Sequence, residues 1–78
     1  MKMNVRKYNN RLKDLRQDRD MSQKEIAKIF YLQPTQYQRY ENGYTDLPLE
    51  WAKKFARYYN VSVDYIAGLI DFPEKLDR

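Results

Sequence analysis

The chain has 78 residues, a formal net charge of +4 and 42% hydrophobic residues, which corresponds to one small folded domain over residues 1–78. It contains no cysteine, which excludes disulfides and thiolate nucleophiles, and no histidine, which removes the usual general base and the commonest metal ligand. With no glycine-rich phosphate loop either, we expect no enzyme, no cofactor and no metal site.

The charge is unevenly distributed along the chain. Residues 1–39 hold ten basic and four acidic side chains, whereas residues 40–78 hold five and seven. A basic half is typical of nucleic-acid binding, although a solvated helix surface would show the same excess. The chain has no apolar run of about 20 residues and no apolar segment after its basic start, so we expect a cytoplasmic protein that does not contact membranes.

The apolar spacing predicts an all-α fold of five helices, with a core over about residues 6–70 and an irregular tail over 71–78. Helix 1 is predicted from Arg6 or Tyr8 to Arg19. Its apolar stripe comprises Val5, Tyr8, Leu12 and Leu15.

Helices 2 and 3 are predicted to form a helix-turn-helix. Ser22 and Glu25 have the spacing of a capping box at the start of helix 2, which ends near Tyr31. Helix 3 is predicted to begin at Pro34 and to end at residues 42–43, Asn-Gly. Two short helices separated by about three residues must cross at a steep angle, which is the geometry of this motif.

Helices 4 and 5 complete the predicted fold. Helix 4 runs from Pro48 to about Tyr59, and its core-facing positions include Ala52, Phe55 and Ala56. Helix 5 is capped by Ser62, runs from Val63 to about Ala67 and ends at Gly68. Val63, Ile66 and Ile70 are expected to pack inward.

Three motifs in this order resemble the Cro/CI-type, or Xre-type, helix-turn-helix family: Ser-Gln-Lys-Glu-Ile-Ala at 22–27, Arg-Tyr-Glu-Asn-Gly at 39–43 and Asn-Val-Ser-Val-Asp-Tyr at 60–65. The resemblance covers about residues 8–70. It implies a five-helix, lambda-repressor-like domain of a bacterial or phage regulator, in which the third helix enters the major groove and dimers bind symmetric operators.

Two residues depart from the family pattern. The family usually has glycine in the turn where this chain has Tyr31. Either the turn is strained, because a left-handed backbone there would cost tyrosine about 1 kcal/mol, or its geometry differs from that of the family. The family often has small or polar residues where this chain has Pro34, which cannot donate a hydrogen bond. These departures affect the turn geometry and one customary base contact.

At 100° per residue, the side chains of helix 3 fall on two faces. Tyr37, Tyr40 and Glu41 lie together and are expected to face inward, and the outward face is suited to base edges. An ordinary solvated surface is the alternative. The predicted base contacts are Arg39, Thr35, Gln36 and Gln38, of which Gln38 lies nearer the flank and could face phosphate instead.

Other polar residues are candidates for phosphate contacts. Gln23 is the first residue of helix 2, where its N–H and side chain can meet a phosphate, and the matching glutamine does so in the family. The further candidates are Asn42, Tyr44, Thr45 and Lys24. Lys28 and Arg11 could add long-range attraction, but such residues are more often solvated charges.

Arg16 and Glu41 are expected to stabilise the fold and not to contact a ligand. The resemblance pairs the matching residues in an internal salt bridge that joins helix 1 to helix 3.

Trp51, Tyr58 and Tyr65 form a possible dimer surface, because they lie off the predicted core faces. The alternative is that these rings cover the edge of a small core.

We expect a sequence-specific regulator, a repressor, that binds palindromic double-stranded DNA as a homodimer. The alternatives are an antitoxin or other module whose main partner is a protein, and a nonspecific DNA-coating protein.

Overall fold

The computed structural model describes residues 8–74, which form five helices and no strand: α1 (Leu12–Asp18), α2 (Gln23–Ile29), α3 (Pro34–Glu41), α4 (Leu49–Tyr59) and α5 (Val63–Ala67). The predicted all-α fold is confirmed. None of the helices within 8–74 has the length and apolarity needed to cross a bilayer.

The first helix begins later than predicted. The Asn10 Oδ1 accepts a hydrogen bond from the N–H of Leu12 at 3.0 Å, which satisfies a free donor at the start of α1. Tyr8 lies before the helix and donates its N–H to the carbonyl of Gly43 at 3.1 Å. The predicted start at Arg6 or Tyr8 is therefore wrong for Tyr8, and Arg6 and Val5 lie outside the described residues.

Two serines cap helices as the sequence predicts. Ser22 Oγ accepts from the N–H of Glu25 at 3.0 Å, and the Glu25 carboxylate accepts from the N–H of Ser22 at 2.8 Å. Ser62 Oγ accepts from the N–H of Tyr65 at 3.1 Å at the start of α5. Both residues have the extended backbone of an N-cap.

All five helices in the described part of the chain end with the same hydrogen-bond pattern, a Schellman motif. In α2, the N–H of Leu32 donates to the carbonyl of Ala27 and that of Tyr31 to Lys28. The residue after each helix that carries the left-handed backbone is Asp20, Tyr31, Gly43, Asn60 or Gly68, in chain order. Three of these positions therefore lack glycine, the residue that adopts this conformation without strain.

Each helix contributes one fully buried large hydrophobic side chain to a shared core. These are Leu12, Ile26, Tyr37, Phe55 and Ile66, all with 0% exposure. Phe30, at the end of α2, packs its ring against Phe55, with a 4.6 Å separation between ring centroids. Each buried side chain of this size stabilises the fold by roughly 1.5–3 kcal/mol, so the helices are held by this common core.

Arg11 joins the start of α1 to the end of α5. Its Nε donates to the carbonyl of Tyr65 at 3.0 Å, and its Nη2 donates to the carbonyl of Ile70 at 2.9 Å. The guanidinium also lies over the Tyr65 ring and pairs with the exposed Asp71. A cation at a helix C-terminus is favourable because it meets the free carbonyls there. Arg11 is therefore a structural clamp rather than a solvated charge.

Candidate nucleic-acid interface

The two faces of α3 match the helical-wheel analysis. Tyr37, Tyr40 and Glu41 are buried. Thr35, Gln38 and Arg39 are exposed, and Gln36 is half-buried. The outward side of α3 thus presents a hydroxyl, an amide and a guanidinium, groups that can bond base edges in a major groove. Base contact by these four residues stays a prediction.

The start of α3 is set by a proline. Gln33 has an extended backbone, with φ −64° and ψ 138°, and Pro34 occupies the first helical turn. Proline restricts the preceding residue to this region and has no N–H to leave unpaired. Pro34 therefore defines where the outward face begins but offers no polar group, so Thr35 is the first side chain of α3 able to donate.

Arg16 and Glu41 form the internal ion pair that the resemblance implies. Arg16 Nε and Nη2 donate to the two carboxylate oxygens of Glu41 at 2.8 and 3.0 Å. The Tyr37 hydroxyl donates to the same carboxylate at 2.8 Å, and Arg16 Nη1 donates to the carbonyl of Met21 at 2.7 Å. The pair connects α1 to α3 and fixes the inward side of α3.

The surroundings of Glu41 keep it ionised. Burial by itself raises the pKa of this carboxyl, but hydrogen bonds from Arg16, Tyr37 and Gln23 outweigh burial, so the net pKa lies below its ordinary value. The pKa of Arg16 is raised, chiefly by its hydrogen bond to Glu41. At neutral pH the pair is therefore a buried carboxylate facing a guanidinium.

Gln23 connects this buried pair to the exposed side of α3. It is half-buried at the start of α2, and its Nε2 donates to Glu41 Oε2 at 3.0 Å. Its Oε1 accepts from Nε2 of Gln38 at 3.3 Å. The sequence does not predict this bond, since residues 15 positions apart on different helices share no sequence signal. Gln23 remains a predicted phosphate contact, with its side chain held by these two bonds.

The other predicted phosphate contacts differ in what they can offer. The N–H groups of Tyr44 and Thr45 both donate to the carbonyl of Arg39, so only their side chains are available for phosphate. Asn42 follows α3 as its C-cap and is half-buried, while Lys24 is exposed on α2. Phosphate contact by each of these residues stays a prediction.

The turn between α2 and α3 has the first of the two geometries expected at Tyr31, the left-handed one. Tyr31 adopts φ 58° in the left-handed region, and its side chain is 96% exposed. The ring therefore gains almost no burial to offset the backbone cost, which is of the order of 1 kcal/mol.

The three aromatic residues of the possible dimer surface pack against the core, as in the alternative interpretation that they cover its edge. Trp51 and Tyr58 both pack edge-on against Phe30, with centroid separations of 6.4 and 5.3 Å. Tyr65 lies under Arg11. All three side chains are half-buried against the core. They lie off the predicted core faces because they form a layer of aromatic rings along the edge of the core. Their part in self-association stays a prediction.

Comparison with known proteins agrees with this geometry. A family model described as "Helix-turn-helix" matches residues 12–66, which include all of α1 to α4 and most of α5. No solved structure matches the chain at comparable significance.

Three curated relatives carry regulator names. The chain is 36% identical over 72 residues to the uncharacterized HTH-type transcriptional regulator YobD of Bacillus subtilis, covering 91% of this chain and 64% of the relative. It is 32% identical over 56 residues to the cryptic phage CTXphi transcriptional repressor RstR of Vibrio cholerae, covering 72% and 50%. It is 34% identical over 65 residues to the HTH-type transcriptional regulator ImmR of Bacillus subtilis, covering 83% and 51%. The chain thus spans about half to two thirds of the length of these relatives.

Proposed function

The chain belongs to the Cro/CI-type helix-turn-helix family, and on that premise we propose that it binds double-stranded DNA as a transcriptional repressor. The observation that carries this proposal is the division of α3 into a buried face and a polar exposed face. The buried face holds the helix through Tyr37, Tyr40 and Glu41. The exposed face carries Thr35, Gln38 and Arg39, whose groups are able to hydrogen-bond to base edges.

In this proposal, Arg39 bonds guanine, which presents two acceptors, O6 and N7, to a guanidinium. Thr35 and Gln36 contact neighbouring base pairs. Gln23, Lys24 and the side chains after α3 contact phosphates and set the position of the helix in the groove. Repression follows from occupancy of the operator, which excludes polymerase.

We propose further that two copies bind a palindromic operator. An eight-residue α3 is about 12 Å long at 1.5 Å per residue, so one copy reads only a few base pairs. Two copies with half-sites about 34 Å apart would double the number of bases read. The exposed edges of Trp51, Tyr58 and Tyr65 are one candidate contact between copies. Leu69, whose side chain is 75% exposed, is a second candidate contact between copies.

The DNA proposal is tested by selection from random duplex DNA with the purified chain. We expect enrichment of a palindrome and loss of preference at one base pair of each half-site in Arg39→Ala. Lys53→Ala is the matched control, because Lys53 is an exposed cation on α4 rather than on α3. A folded wild-type chain that enriches no sequence would contradict the proposal.

The dimer proposal is tested by sedimentation velocity with and without the selected duplex. We expect two copies of the chain on each palindrome. Of the two variants Trp51→Gln and Leu69→Gln, the one that weakens assembly identifies the contact surface between copies. A single copy on the full palindrome would contradict the dimer proposal.

A protein partner is the second candidate function. Arg11 anchors the segment after α5 through Ile70 and Asp71, and the neighbouring Leu69 and Phe72 are 75% and 61% exposed. Large apolar side chains on an anchored segment are suited to a protein contact. A protein that co-purifies with the untagged chain from its native host, and is lost in Phe72→Gln, would support this function.

A further inference from the structure

The segment before α1 is bonded to the C-terminal end of α3, the helix whose exposed face is proposed to enter the groove. Asn10 Nδ2 donates to the carbonyl of Tyr40 at 2.8 Å, and the N–H of Tyr8 donates to the carbonyl of Gly43 at 3.1 Å. Asn10 lies 30 positions from Tyr40, so this is a tertiary contact rather than a local one. The segment is therefore attached at the point where α3 ends and the following loop begins.

Gly43 is held from both sides by these contacts. It is buried, and its left-handed φ of 77° turns the chain out of the helix. Its own N–H donates to the carbonyl of Tyr40 at 3.2 Å, so that carbonyl accepts from both Gly43 and Asn10 and uses its two lone pairs. The next two residues, Tyr44 and Thr45, bond back to α3 through their N–H groups. The path of the loop is thus set by contacts with α3 and with the segment before α1.

The path of the loop decides where its hydroxyl groups lie. Tyr44 is 48% exposed and Thr45 is half-buried, and with their N–H groups bonded to α3 each has only its side chain to offer a phosphate. A hydrogen bond from a hydroxyl to a phosphate oxygen needs an O···O distance of about 2.5–3.0 Å. A shift of the loop by about 1 Å would therefore break such a contact.

Asn10 makes two bonds that can be separated by substitution. Its Oδ1 accepts from the N–H of Leu12 at 3.0 Å and caps the start of α1, whereas its Nδ2 reaches the end of α3. An aspartate at this position keeps the accepting oxygen but has no donor for the carbonyl of Tyr40. The contact with α3 can therefore be removed while the cap on α1 is kept.

We infer that Asn10 is a positioning residue for DNA binding, because its bond to Tyr40 holds the loop after α3 where the hydroxyls of Tyr44 and Thr45 meet phosphate. This inference rests on the proposed DNA-binding function and adds to it a residue outside the helix-turn-helix that acts through the loop. Since phosphates are common to all sequences, Asn10 affects affinity for every duplex and leaves base preference unchanged.

The experiment measures binding of Asn10→Asp and Asn9→Asp to the duplex selected by the wild-type chain. Asn9 is exposed, so its variant adds the same charge one position away and keeps the bond from Asn10 to Tyr40. We expect Asn10→Asp to weaken binding on the order of tenfold and Asn9→Asp by less than about twofold. In both variants the base preference at the position read by Arg39 should be kept.

Asn10→Ser is an uncharged second variant. Its hydroxyl can still cap α1 but is too short to reach the carbonyl of Tyr40, so binding should weaken as it does in Asn10→Asp. Circular dichroism checks the folding of each variant, and the serine variant replaces the aspartate variant if the latter does not fold.

A double-mutant cycle separates action through the loop from a general loss of structure. The loop variant, which combines Tyr44→Phe with Thr45→Val, lacks both hydroxyls and should bind more weakly than the wild type. When Asn10→Asp is added to the loop variant, we expect a further loss of less than about twofold, because no loop hydroxyl remains to be misplaced. A structural role alone would give the same loss with and without the loop hydroxyls.

Four results would overturn the inference: equal losses in Asn9→Asp and Asn10→Asp, wild-type affinity in the folded Asn10 variants, wild-type affinity in the loop variant, or an undiminished effect of Asn10→Asp in the loop variant. Each differs from failure of the proposed function, in which the wild-type chain enriches no sequence at all.

Discussion

Arg16 and Glu41 face each other through two parallel hydrogen bonds of 2.8 and 3.0 Å, with their side chains only 11% and 1% exposed. This pair is the point at which α1, α3 and the start of α2 are joined, since Gln23 bonds the same carboxylate. Removing one partner leaves an uncompensated buried charge, which costs more than the pair itself contributes.

We therefore expect Arg16→Ala to lower the free energy of unfolding by about 3–5 kcal/mol, a large share of the stability of so small a domain. Urea unfolding followed by circular dichroism measures the change. Lys13→Ala is the matched control, because Lys13 is an exposed cation on the same helix and should change stability by less than about 0.5 kcal/mol. Equal stability of the two variants would contradict a structural role for the pair.

The lowered pKa of Glu41 predicts loss of stability in acid. A carboxyl whose pKa is lower in the folded state contributes stability above its ordinary pKa of 4.5, and that contribution disappears as the pH falls through the folded value. We expect the free energy of unfolding to decrease below pH 4.5. Urea titrations from pH 7 to pH 3 measure the slope, which should be smaller in Glu41→Gln than in the wild type. The exposed Glu50→Gln serves as control and should keep the wild-type slope.

The Tyr59 hydroxyl is buried without a hydrogen-bond partner within the described residues. Since an unsatisfied buried hydroxyl costs free energy, we expect Tyr59→Phe to leave stability unchanged or raise it by about 1 kcal/mol. Tyr37→Phe should lower stability, because the Tyr37 hydroxyl donates to Glu41. Thermal unfolding of the two variants compares them directly. A loss of more than about 1 kcal/mol in Tyr59→Phe would mean that the hydroxyl is satisfied.

Burial also raises the pKa of Tyr59, which makes the same residue relevant at alkaline pH. A group whose pKa is raised by folding contributes stability below its ordinary pKa of 10.0 and loses that contribution as the pH rises. We expect the wild type to lose stability above pH 10 more steeply than Tyr59→Phe does. Unfolding titrations from pH 8 to pH 11 test this, and identical slopes would argue against it.

Tyr31 offers a test of backbone strain. With φ 58° and a ring that is 96% exposed, we expect Tyr31→Gly to raise stability by up to about 1 kcal/mol. Tyr31→Ala is the control, because it removes the ring but keeps a Cβ in the left-handed conformation. If the glycine variant is no more stable than the alanine variant, the turn carries no strain that glycine relieves.

The sequence by itself determined the five helices, because the signals for them are local. Ser22 and Glu25 cap α2 through neighbouring backbone groups, and Gly43 and Gly68 adopt the left-handed conformation where helices end. The inward face of α3 could be predicted for the same reason, since an eight-residue helix has a fixed angular spacing. At Tyr31, where the related family usually has glycine, the sequence allowed either a strained turn or a different geometry, and the structure has the left-handed, strained form.

Only the tertiary structure decided which side chains far apart in sequence meet. Arg11 lies 54 residues from Tyr65, whose carbonyl it caps, and no local pattern distinguishes it from a solvated arginine. Periodicity places Trp51 off the core face because it measures direction on one helix only. The burial of Trp51 depends on the neighbouring residues that pack against it, such as Phe30. Gln23 and Gln38 meet only because α2 and α3 are packed together around the ion pair of Arg16 and Glu41.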